Sequence, residues 1–299
     1  MRRHRPAMLL EVMELLAIQG GATIVDGTVG HGGHAEQMLE AAGETGELIA
    51  FDWDMEMLKI AENNLTRTSG RKTFVNADYR EIPAWLARER KSADAILLDF
   101  GVNLQHFEDT ARGFSFAGEA PLDMRMDRST KETAAAWLNR ASEGEIARAL
   151  REFGGEKWAR PIARQVCLLR KGRGLKMTDD LVQAVLRAVP ASKREQRLHP
   201  ATRTFQAVRI AINQELDDLE DTVVQIACLL KPAGRMVTLA YHSGEDAAAK
   251  NAFRKLAANG EHSVLTKKPL RPSESEVSDN PNARSARLRA IGRAEEETK

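Results

Sequence analysis

Three short apolar runs in the first hundred residues each end on an aspartate, and segments with helical periodicity separate them. The runs are residues 22–26 (ATIVD), 47–52 (ELIAFD) and 94–99 (DAILLD), which end at Asp26, Asp52 and Asp99. Because strands that alternate with helices form βαβ units, this pattern predicts a parallel sheet. The aspartates would then lie at the carboxyl edge of the sheet, where such folds bind ligands.

A glycine-rich turn follows the first predicted strand, in the stretch DGTVGHGGH. Gly27, Gly30, Gly32 and Gly33 predict a sharply bent backbone that comes close to a ligand. The spacing is not the G-x-G-x-x-G of dinucleotide-binding turns, and Asp26 would repel a pyrophosphate. S-adenosylmethionine instead carries a sulfonium and an ammonium, and an acid attracts both. The turn therefore favours this cofactor, and an ordinary βαβ turn with helix-capping acids is the alternative.

Further positions complete the predicted cofactor pocket. Asp52 is placed to accept hydrogen bonds from both ribose hydroxyls, although dinucleotides use an acid in the same way. Asp78 and Tyr79 follow a third predicted strand, where an acid and a ring can hold an adenine. Acids at three successive strand ends beside four glycines favour a cofactor site over a plain turn.

The strand and helix alternation stops after Asp99. Apolar residues from 132 to about 189 recur with a helical period, which predicts a helical insert between the fourth and fifth strands of a doubly wound sheet. One long helix is predicted from Thr202 to Leu230, and strands return at 234–241 (GRMVTLAY) and in a final pair, HSVLT and ARLRAI. The expected domains are a core of residues 1–104 and 201–299 and an insert of residues 105–200.

The formal net charge of +1 conceals a strong asymmetry. From Lys157 to Arg203 there are twelve Lys or Arg and three acids, about +9, a density that suits a polyanion such as RNA. The basic tail after residue 266 is a second candidate for contacts with phosphates. A basic surface that only keeps the protein soluble is the alternative.

Several classes of protein are excluded. The two cysteines, Cys167 and Cys228, are too few for a disulfide framework or a cysteine-rich zinc site, and His199 has no partner at metal-ligand spacing. Glu11 and Glu14 interrupt the first apolar run, which therefore predicts an amphipathic helix and not a signal peptide. We expect a cytoplasmic protein without a membrane or metal partner. Its oligomeric state stays open, with a homodimer as one candidate.

Four blocks of sequence resemble, in the same order, the ribosomal RNA small subunit methyltransferase H family, also called MraW. The blocks are DGTVGHGGH, RGFSF…PLDMRMD, HPATRTFQAVRIAINQEL and NPNARSARLR, and the likeness runs from residue 4 to about 293. The resemblance implies a Rossmann-like class I S-adenosylmethionine-dependent methyltransferase core with an all-helical insert. It also implies methylation of N4 of a cytidine in the decoding region of 16S rRNA, in the small ribosomal subunit.

The resemblance carries cofactor contacts onto particular residues. Gly32, Gly33 and His34 match the family's GGH, and Tyr79 matches an aromatic position. Asp52 matches the acid after the second strand.

Asp99 matches the acid of the family's LLDLG, which here reads LLDFG. Two segments depart from the family. GVSSPQL stands here as GVNLQHF, so that His106 takes the place of a cofactor-contacting Gln, and FHSLEDR stands as YHSGEDA. An imidazole can donate one hydrogen bond, but it cannot offer an amide's donor and acceptor from one end.

The N4 amine of cytidine is a poor nucleophile, because its lone pair is delocalised into the ring. The protein is therefore expected to align the amine and to accept its N–H. Asp99 stands where it can serve this role or contact the cofactor, and the sequence leaves both open. Asp123, Arg125 and Asp127 of PLDMRMD are expected to close over the target nucleotide, with a charged surface loop as the alternative.

His242 follows the fifth predicted strand and is the remaining catalytic candidate, with a helix cap by Ser243 as the alternative. Gln206, Arg209 and Asn213 form a polar stripe on the predicted long helix, which either faces solvent or the acceptor site.

Two other functions stay open. One is a catalytically weakened paralogue that binds RNA and serves as a ribosome assembly factor. The other is a methyltransferase of the same fold that acts on DNA or a small amine. The altered GVNLQHF and YHSGEDA segments motivate the first alternative.

Overall fold

A seven-stranded sheet forms the centre of the first of two structural units. The computed structural model describes residues 5–100, 112–116, 118–128, 132–195 and 198–295. The strands are β1 (Thr23–Asp26), β2 (Glu47–Asp52), β3 (Arg71–Asn76), β4 (Ala93–Asp99), β5 (Leu230–Ala240), β6 (His262–Val264) and β7 (Arg287–Arg293). The α-helices are α1 (Leu9–Leu16), α2 (Gly33–Ala42), α3 (Met55–Asn64), α4 (Ile82–Glu89), α5 (Ala134–Arg140), α6 (Glu143–Glu152), α7 (Ala159–Leu169), α8 (Thr178–Ala188), α9 (Thr202–Asn213), α10 (Leu219–Ala227), α11 (Ser243–Ala258) and α12 (Glu274–Asp279).

The order of the strands confirms the predicted doubly wound α/β fold. The sheet runs β3-β2-β1-β4-β5-β7-β6, and its first five strands are parallel. Strand β7 lies antiparallel between β5 and β6, so the predicted final strand pair is also correct. Because β1 lies between β2 and β4, the chain order reverses beside it, and the carboxyl ends of these three strands meet at one edge.

Burial explains why the first strands are read as apolar runs. Residues 48–51 of β2 and 95–98 of β4 are fully buried or nearly so, as expected for a parallel sheet covered on both faces. The amphipathic helix predicted near the start is α1, which buries Val12 and Leu16 against this core. Among the described residues, no helix has the length and apolar character needed to cross a membrane.

In the second unit, residues 102–217, the described elements are helices joined by loops. The first unit consists of residues 1–101 and 218–299. The second boundary therefore differs from the predicted 200/201. The physical reason is that Phe205 and Val208 of α9 are buried in the same apolar cluster as the insert helices.

The prediction of one helix from Thr202 to Leu230 is wrong. Helix α9 ends at Asn213, because Gln214 adopts a left-handed conformation with φ of 51°. Asp218, with φ of 52°, then precedes α10. Leu230 begins β5, where it pairs with Ala93. The apolar spacing of three and four continues across the break, which is why the sequence pattern does not reveal it.

Candidate functional site

The glycine turn joins β1 to α2 in the first unit. Gly30 has φ of 51° and Gly32, which caps α2, has φ of 83°, conformations that glycine adopts without steric cost. The Gly30 N–H donates to Oδ2 of Asp52 over 2.9 Å, and Gly33 begins the helix. The sharp bend inferred from the sequence is therefore present, and its backbone is bound directly to the acid that ends β2.

Asp26 ends β1 and is 1% exposed, although it is an acid. Its pKa is raised from 3.8 to about 7. Burial is the main cause and the carboxylates of Asp99 and Asp52 add to it, while the hydrogen bond from the Thr28 N–H opposes the rise. Three carboxylates from three neighbouring strands thus act on one another in this pocket. Ionising Asp26 therefore costs free energy, and a bound cation would lower that cost.

Asp99 ends β4, and its backbone is fixed on two sides. Its N–H donates to Oγ1 of Thr28 over 2.7 Å, and the next N–H, of Phe100, donates to the Leu239 carbonyl over 2.9 Å. The carboxylate Oδ2 lies 3.9 Å from Nδ1 of His34. The side chain of Asp99 is about one-fifth exposed, so a ligand can reach it.

His34 lies in the first turn of α2 and is 7% exposed. Burial has the largest effect on the pKa of His34 and lowers it. Asp99, the Ala7 carbonyl and Glu276 raise the pKa by less, so the ring is neutral at pH 7. Its Nε2 lies 2.9 Å from the Ala7 oxygen. A carbonyl accepts only, so the proton is on Nε2 and Nδ1 presents a lone pair toward Asp99. His34 therefore adds no positive charge to the pocket.

Tyr241 is a residue of the site that the sequence reasoning missed. It follows β5 directly, and the carboxylate of Asp99 is one of the charged groups that act on its hydroxyl. Burial raises its pKa well above the ordinary value of 10, and the charges of Asp99, Glu245 and Glu276 add to the effect. Its position one residue beyond the fifth strand, on the edge that also carries Asp99, was the available signal.

The positions predicted for the ribose and the adenine lie at the same edge. Oδ1 of Asp52 accepts from the Asp54 N–H over 2.9 Å, and Oδ2 accepts from the Gly30 N–H over 2.9 Å, so the carboxylate is held at this edge by backbone donors on both sides. The ring of Tyr79 meets that of Phe100 edge-on at 5.8 Å, and the guanidinium of Arg80 lies over it at 5.1 Å. Asp78 forms an ion pair with Arg80 at 2.7 Å and is thereby already engaged.

The residues of this pocket fit S-adenosylmethionine. The observation that tests the fit is the raised pKa of Asp26. Burial is its main cause and the carboxylates of Asp99 and Asp52 add to it, so a ligand that brings positive charge lowers the cost of ionising this group. A pyrophosphate would add negative charge to the same three groups. His106, the other predicted cofactor residue, lies outside the described residues.

His242 is the N-cap of α11. Its Nδ1 accepts from the N–H groups of Gly244 and Glu245 at 3.2 and 3.4 Å, and the His242 N–H donates to Oε2 of Glu245 over 3.2 Å. Its Nε2 lies 3.0 Å from Oε1 of Glu245. The alternative that Ser243 caps this helix is wrong, because Ser243 is already its first helical residue.

In the second unit, Asp123 and Arg125 bind each other. Two carboxylate oxygens of Asp123 accept from Nε and a terminal nitrogen of Arg125 over 2.7 and 2.8 Å. Burial alone would raise the pKa of Asp123, but the hydrogen bonds from Arg125 hold it below its ordinary value. Each side chain keeps about one-fifth of its surface exposed, so the pair presents a charged, fixed face to solvent.

The loop that carries this pair is braced from within the unit. Leu122, Met124 and Met126 alternate with the charged residues and are buried. Asn213 of α9 accepts from the Met126 N–H and donates to the Met124 carbonyl, both over 2.8 Å. Arg112 donates to the Met126 carbonyl over 2.6 Å. These contacts hold the loop in one conformation, and with it the Asp123–Arg125 pair.

The polar stripe on α9 has a structural role in two of its three residues. Asn213 braces the loop, and Arg209 makes a bidentate ion pair with Glu215 at 2.8 and 2.9 Å. Neither is fully exposed, so a solvated face is the wrong interpretation for them.

The basic segment of the second unit divides into structural and exposed cations. Arg170 donates to the Ala141 carbonyl at the end of α5, and Arg194 donates to the Leu186 carbonyl in the last turn of α8, so both have structural roles. Between α6 and α7 lies a groove of about 320 Å³, lined by Glu143, Gly144, Ala147, Arg148, Arg151 and Arg160. Within the described residues, the three arginine side chains of the groove form no ion pair or hydrogen bond with another residue.

Comparison with known proteins gives a match over almost the whole chain. Residues 1–294 match the model of the MraW methylase family. Three relatives carry the name ribosomal RNA small subunit methyltransferase H. The one from Thermotoga neapolitana is 44% identical and the alignment covers 98% of this chain and 97% of the relative. Those from Syntrophotalea carbinolica and Syntrophobacter fumaroxidans are 42% and 40% identical, covering 97% and 96% of this chain and 98% and 95% of the relatives.

Proposed function

The chain belongs to the MraW methylase family, and we propose that it transfers a methyl group from S-adenosylmethionine to N4 of a cytidine in 16S rRNA of the small ribosomal subunit. The observation that carries the cofactor assignment is the meeting of Asp26, Asp52 and Asp99 around the glycine turn, with the pKa of Asp26 raised to about 7. A sulfonium and an ammonium are the charges that such a pocket stabilises. Because ribosomes are cytoplasmic, the reaction takes place there.

Each residue of the pocket in the first unit has its own proposed role, which follows from its position. Asp52 is placed to hold the ribose, Tyr79 the adenine, and Asp26 the charged end of the cofactor. When bound, S-adenosylmethionine supplies a methyl group whose bonding electrons remain with sulfur. Asp99 accepts a hydrogen bond from the N4 amine, which turns the nitrogen lone pair toward the methyl carbon. It then takes the proton that nitrogen loses once the N–C bond has formed.

The braced loop in the second unit supports recognition of the target nucleotide. Asp123 fixes the guanidinium of Arg125 in a plane, and such a plane can stack on a base or bind a phosphate in bidentate fashion. Asp127 belongs to the same stretch, and we infer that it contributes to the same surface. Because N4 is hidden in a paired and stacked cytosine, the substrate base must be unpaired or turned out of its helix.

The groove between α6 and α7 is the best-supported contact for the RNA backbone. Its three arginines, Arg148, Arg151 and Arg160, are unpaired within the described residues, and a groove of about 320 Å³ can take a phosphate with its sugar. Changing all three to alanine should weaken binding to small subunits and make it less dependent on salt. Replacing the structural Arg170 would instead lower stability, which separates the two roles.

A mixing experiment tests the proposed function. Purified protein, methyl-labelled S-adenosylmethionine and small subunits that lack the modification should give N4-methylcytidine, identified by mass spectrometry of nucleosides. Asp99→Asn should reduce the transfer rate by about a hundredfold or more, because it removes the acceptor of the amine proton. Binding of the cofactor and the subunit without transfer would favour the assembly factor, and transfer to DNA but not to subunits would favour the other methyltransferase.

A further inference from the structure

Residues 5–8, which precede α1 and are called the strap below, are bound by residues from the far end of the first unit. The Met8 N–H donates to Oε1 of Glu276 over 2.5 Å, and Nδ2 of Asn280 donates to the Arg5 carbonyl over 3.1 Å. These pairs are 268 and 275 positions apart in the sequence. Two hydrogen bonds from the region of α12 therefore fix the course of the strap.

The conformation of the strap depends on these bonds. Ala7 and Met8 are buried, and Met8 has a left-handed backbone with φ of 52°, which a residue other than glycine adopts at a cost in free energy. A backbone N–H that is removed from water needs an acceptor, and Glu276 supplies it for Met8. Glu276 thus stabilises a conformation that the strap would not favour by itself.

The strap packs directly on the glycine turn. A Cβ added to Gly33 would lie 3.2 Å from Cδ of Pro6, so the proline ring covers the first residue of α2. The Ala7 carbonyl lies 2.9 Å from Nε2 of His34, the next residue of that helix. Residues 6 and 7 therefore contact two successive residues of the turn that borders the cofactor pocket.

The bond to Ala7 determines what His34 presents to the pocket. Because a carbonyl only accepts, the ring proton is on Nε2, and Nδ1 presents its lone pair on the side of Asp99, whose Oδ2 is 3.9 Å away. An ammonium, such as that of S-adenosylmethionine, can donate to this lone pair. Without the Ala7 carbonyl the proton could occupy either nitrogen, and a proton on Nδ1 would turn a donor toward the ammonium.

We propose that Glu276 is a positioning residue for cofactor binding. It holds the strap, the Ala7 carbonyl of the strap fixes the tautomer of His34, and His34 presents an acceptor to the ammonium of S-adenosylmethionine. The inference rests on the proposed function for the identity of this cofactor. Glu276 acts only through the strap and His34, and no proton or electron pair is transferred.

Calorimetric titration with S-adenosylhomocysteine, which keeps the ammonium, tests the inference in the free protein. Glu276→Ala removes the acceptor of the Met8 N–H and should raise the dissociation constant by about tenfold or more. Glu276→Gln keeps an oxygen that can accept from this N–H, so it should bind within about threefold of the wild type.

Two further variants separate the strap from a general effect on α12. Asn280→Ala removes the other hydrogen bond to the strap and should weaken binding by about threefold or more. Asp279→Ala is the matched control, because its ion pair with Arg5 at 3.6 Å joins two largely exposed side chains and contributes little. It should bind as the wild type does. Circular dichroism checks that each variant is folded.

Nitrogen-15 NMR of the imidazole rings gives a readout that does not depend on affinity. The chain has seven histidines, and the spectrum of His34→Asn identifies the signals of His34 by their loss. In the wild type at pH 7, His34 should carry its proton on Nε2 alone. In Glu276→Ala the signals should move toward a mixture of the two tautomers, and in Asp279→Ala they should stay in place.

The outcomes separate the inference from the function on which it rests. A wild type that does not bind S-adenosylhomocysteine overturns the cofactor assignment. If the wild type binds and both Glu276→Ala and Asn280→Ala bind equally well, the inference alone is refuted. It also fails if affinity falls while the tautomer of His34 is unchanged, since the effect would bypass His34. Loss of affinity in Glu276→Gln equal to that in Glu276→Ala would assign the effect to charge and contradict the positioning role.

Discussion

Replacing Asp26 with asparagine should stabilise the protein at alkaline pH while weakening its hold on the cofactor. The carboxyl of Asp26 is buried and its pKa stands at about 7 against an ordinary 3.8. An acid whose pKa is raised by folding binds its proton more tightly in the folded state. Stability is therefore fully present below the unfolded pKa, falls as the pH rises between the two pKa values, and is constant above the higher one.

The size of the effect follows from the two pKa values. Each tenfold difference in proton affinity is worth about 1.4 kcal/mol, so ionising Asp26 inside the fold costs about 4 kcal/mol. Asparagine keeps an oxygen that can accept from the Thr28 N–H but never ionises. We expect the stability of Asp26→Asn, relative to the wild type, to increase by about 4 kcal/mol between about pH 4 and about pH 8.

Urea unfolding of both proteins without cofactor, at the two pH values, measures this difference. Asp78→Asn is a matched control, because Asp78 lies near the same edge of the sheet but is paired with Arg80 at 2.7 Å. It should gain nothing from alkaline pH. A stability difference between Asp26→Asn and the wild type that is the same at both pH values would refute the reasoning, since Asp26 would then ionise without cost.

Three further substitutions test the second unit and the cap of α11. Gly113→Ala should destabilise the protein by about 2 kcal/mol or more in urea unfolding. The added Cβ would lie 2.1 Å from the Pro121 carbonyl oxygen, and residue 113 has a φ of 71°, which strains any side chain. Unchanged stability would contradict this geometry. Arg125→Lys keeps the charge but loses the bidentate bond to Asp123. The rate of methyl transfer to subunits should therefore fall at least about tenfold, with no change in the circular dichroism. A wild-type rate would show that the Asp123–Arg125 pair has no part in recognition. His242→Ala should lower the free energy of unfolding by about 1 kcal/mol, as the loss of a cap does; loss of transfer at unchanged stability would instead assign His242 to the chemistry.

The fold could be predicted because its signals are local. An apolar run that ends on an acid marks each of β1, β2 and β4 within a few residues, and glycines mark the turn that follows. The acids at the strand ends were therefore found as candidate residues, and the parallel sheet brings them to one edge. The break after Asn213 could not be predicted, because the apolar period runs through it and only two left-handed residues mark it.

The missed and revised site residues depend on contacts between distant parts of the chain. Asp99, whose charge acts on the Tyr241 hydroxyl, lies 142 positions earlier in the sequence, and Asn213 binds Met124 across 89 positions. A single sequence has no pattern that records such pairs. His242 is a catalytic candidate because it follows the fifth strand on the ligand-binding edge, and only the structure shows that it also caps α11, with Glu245 completing the reciprocal cap.

Calorimetric titration with S-adenosylmethionine, compared with NADH, tests the charge of the pocket most directly. A cationic ligand binds the ionised form of Asp26, so affinity should rise about tenfold from about pH 6 to about pH 8 and level off above the pKa of about 7. Protons should be released on binding at the lower pH, and NADH should give no heat. Tight binding of NADH, or an affinity for S-adenosylmethionine that does not change with pH, would contradict the account.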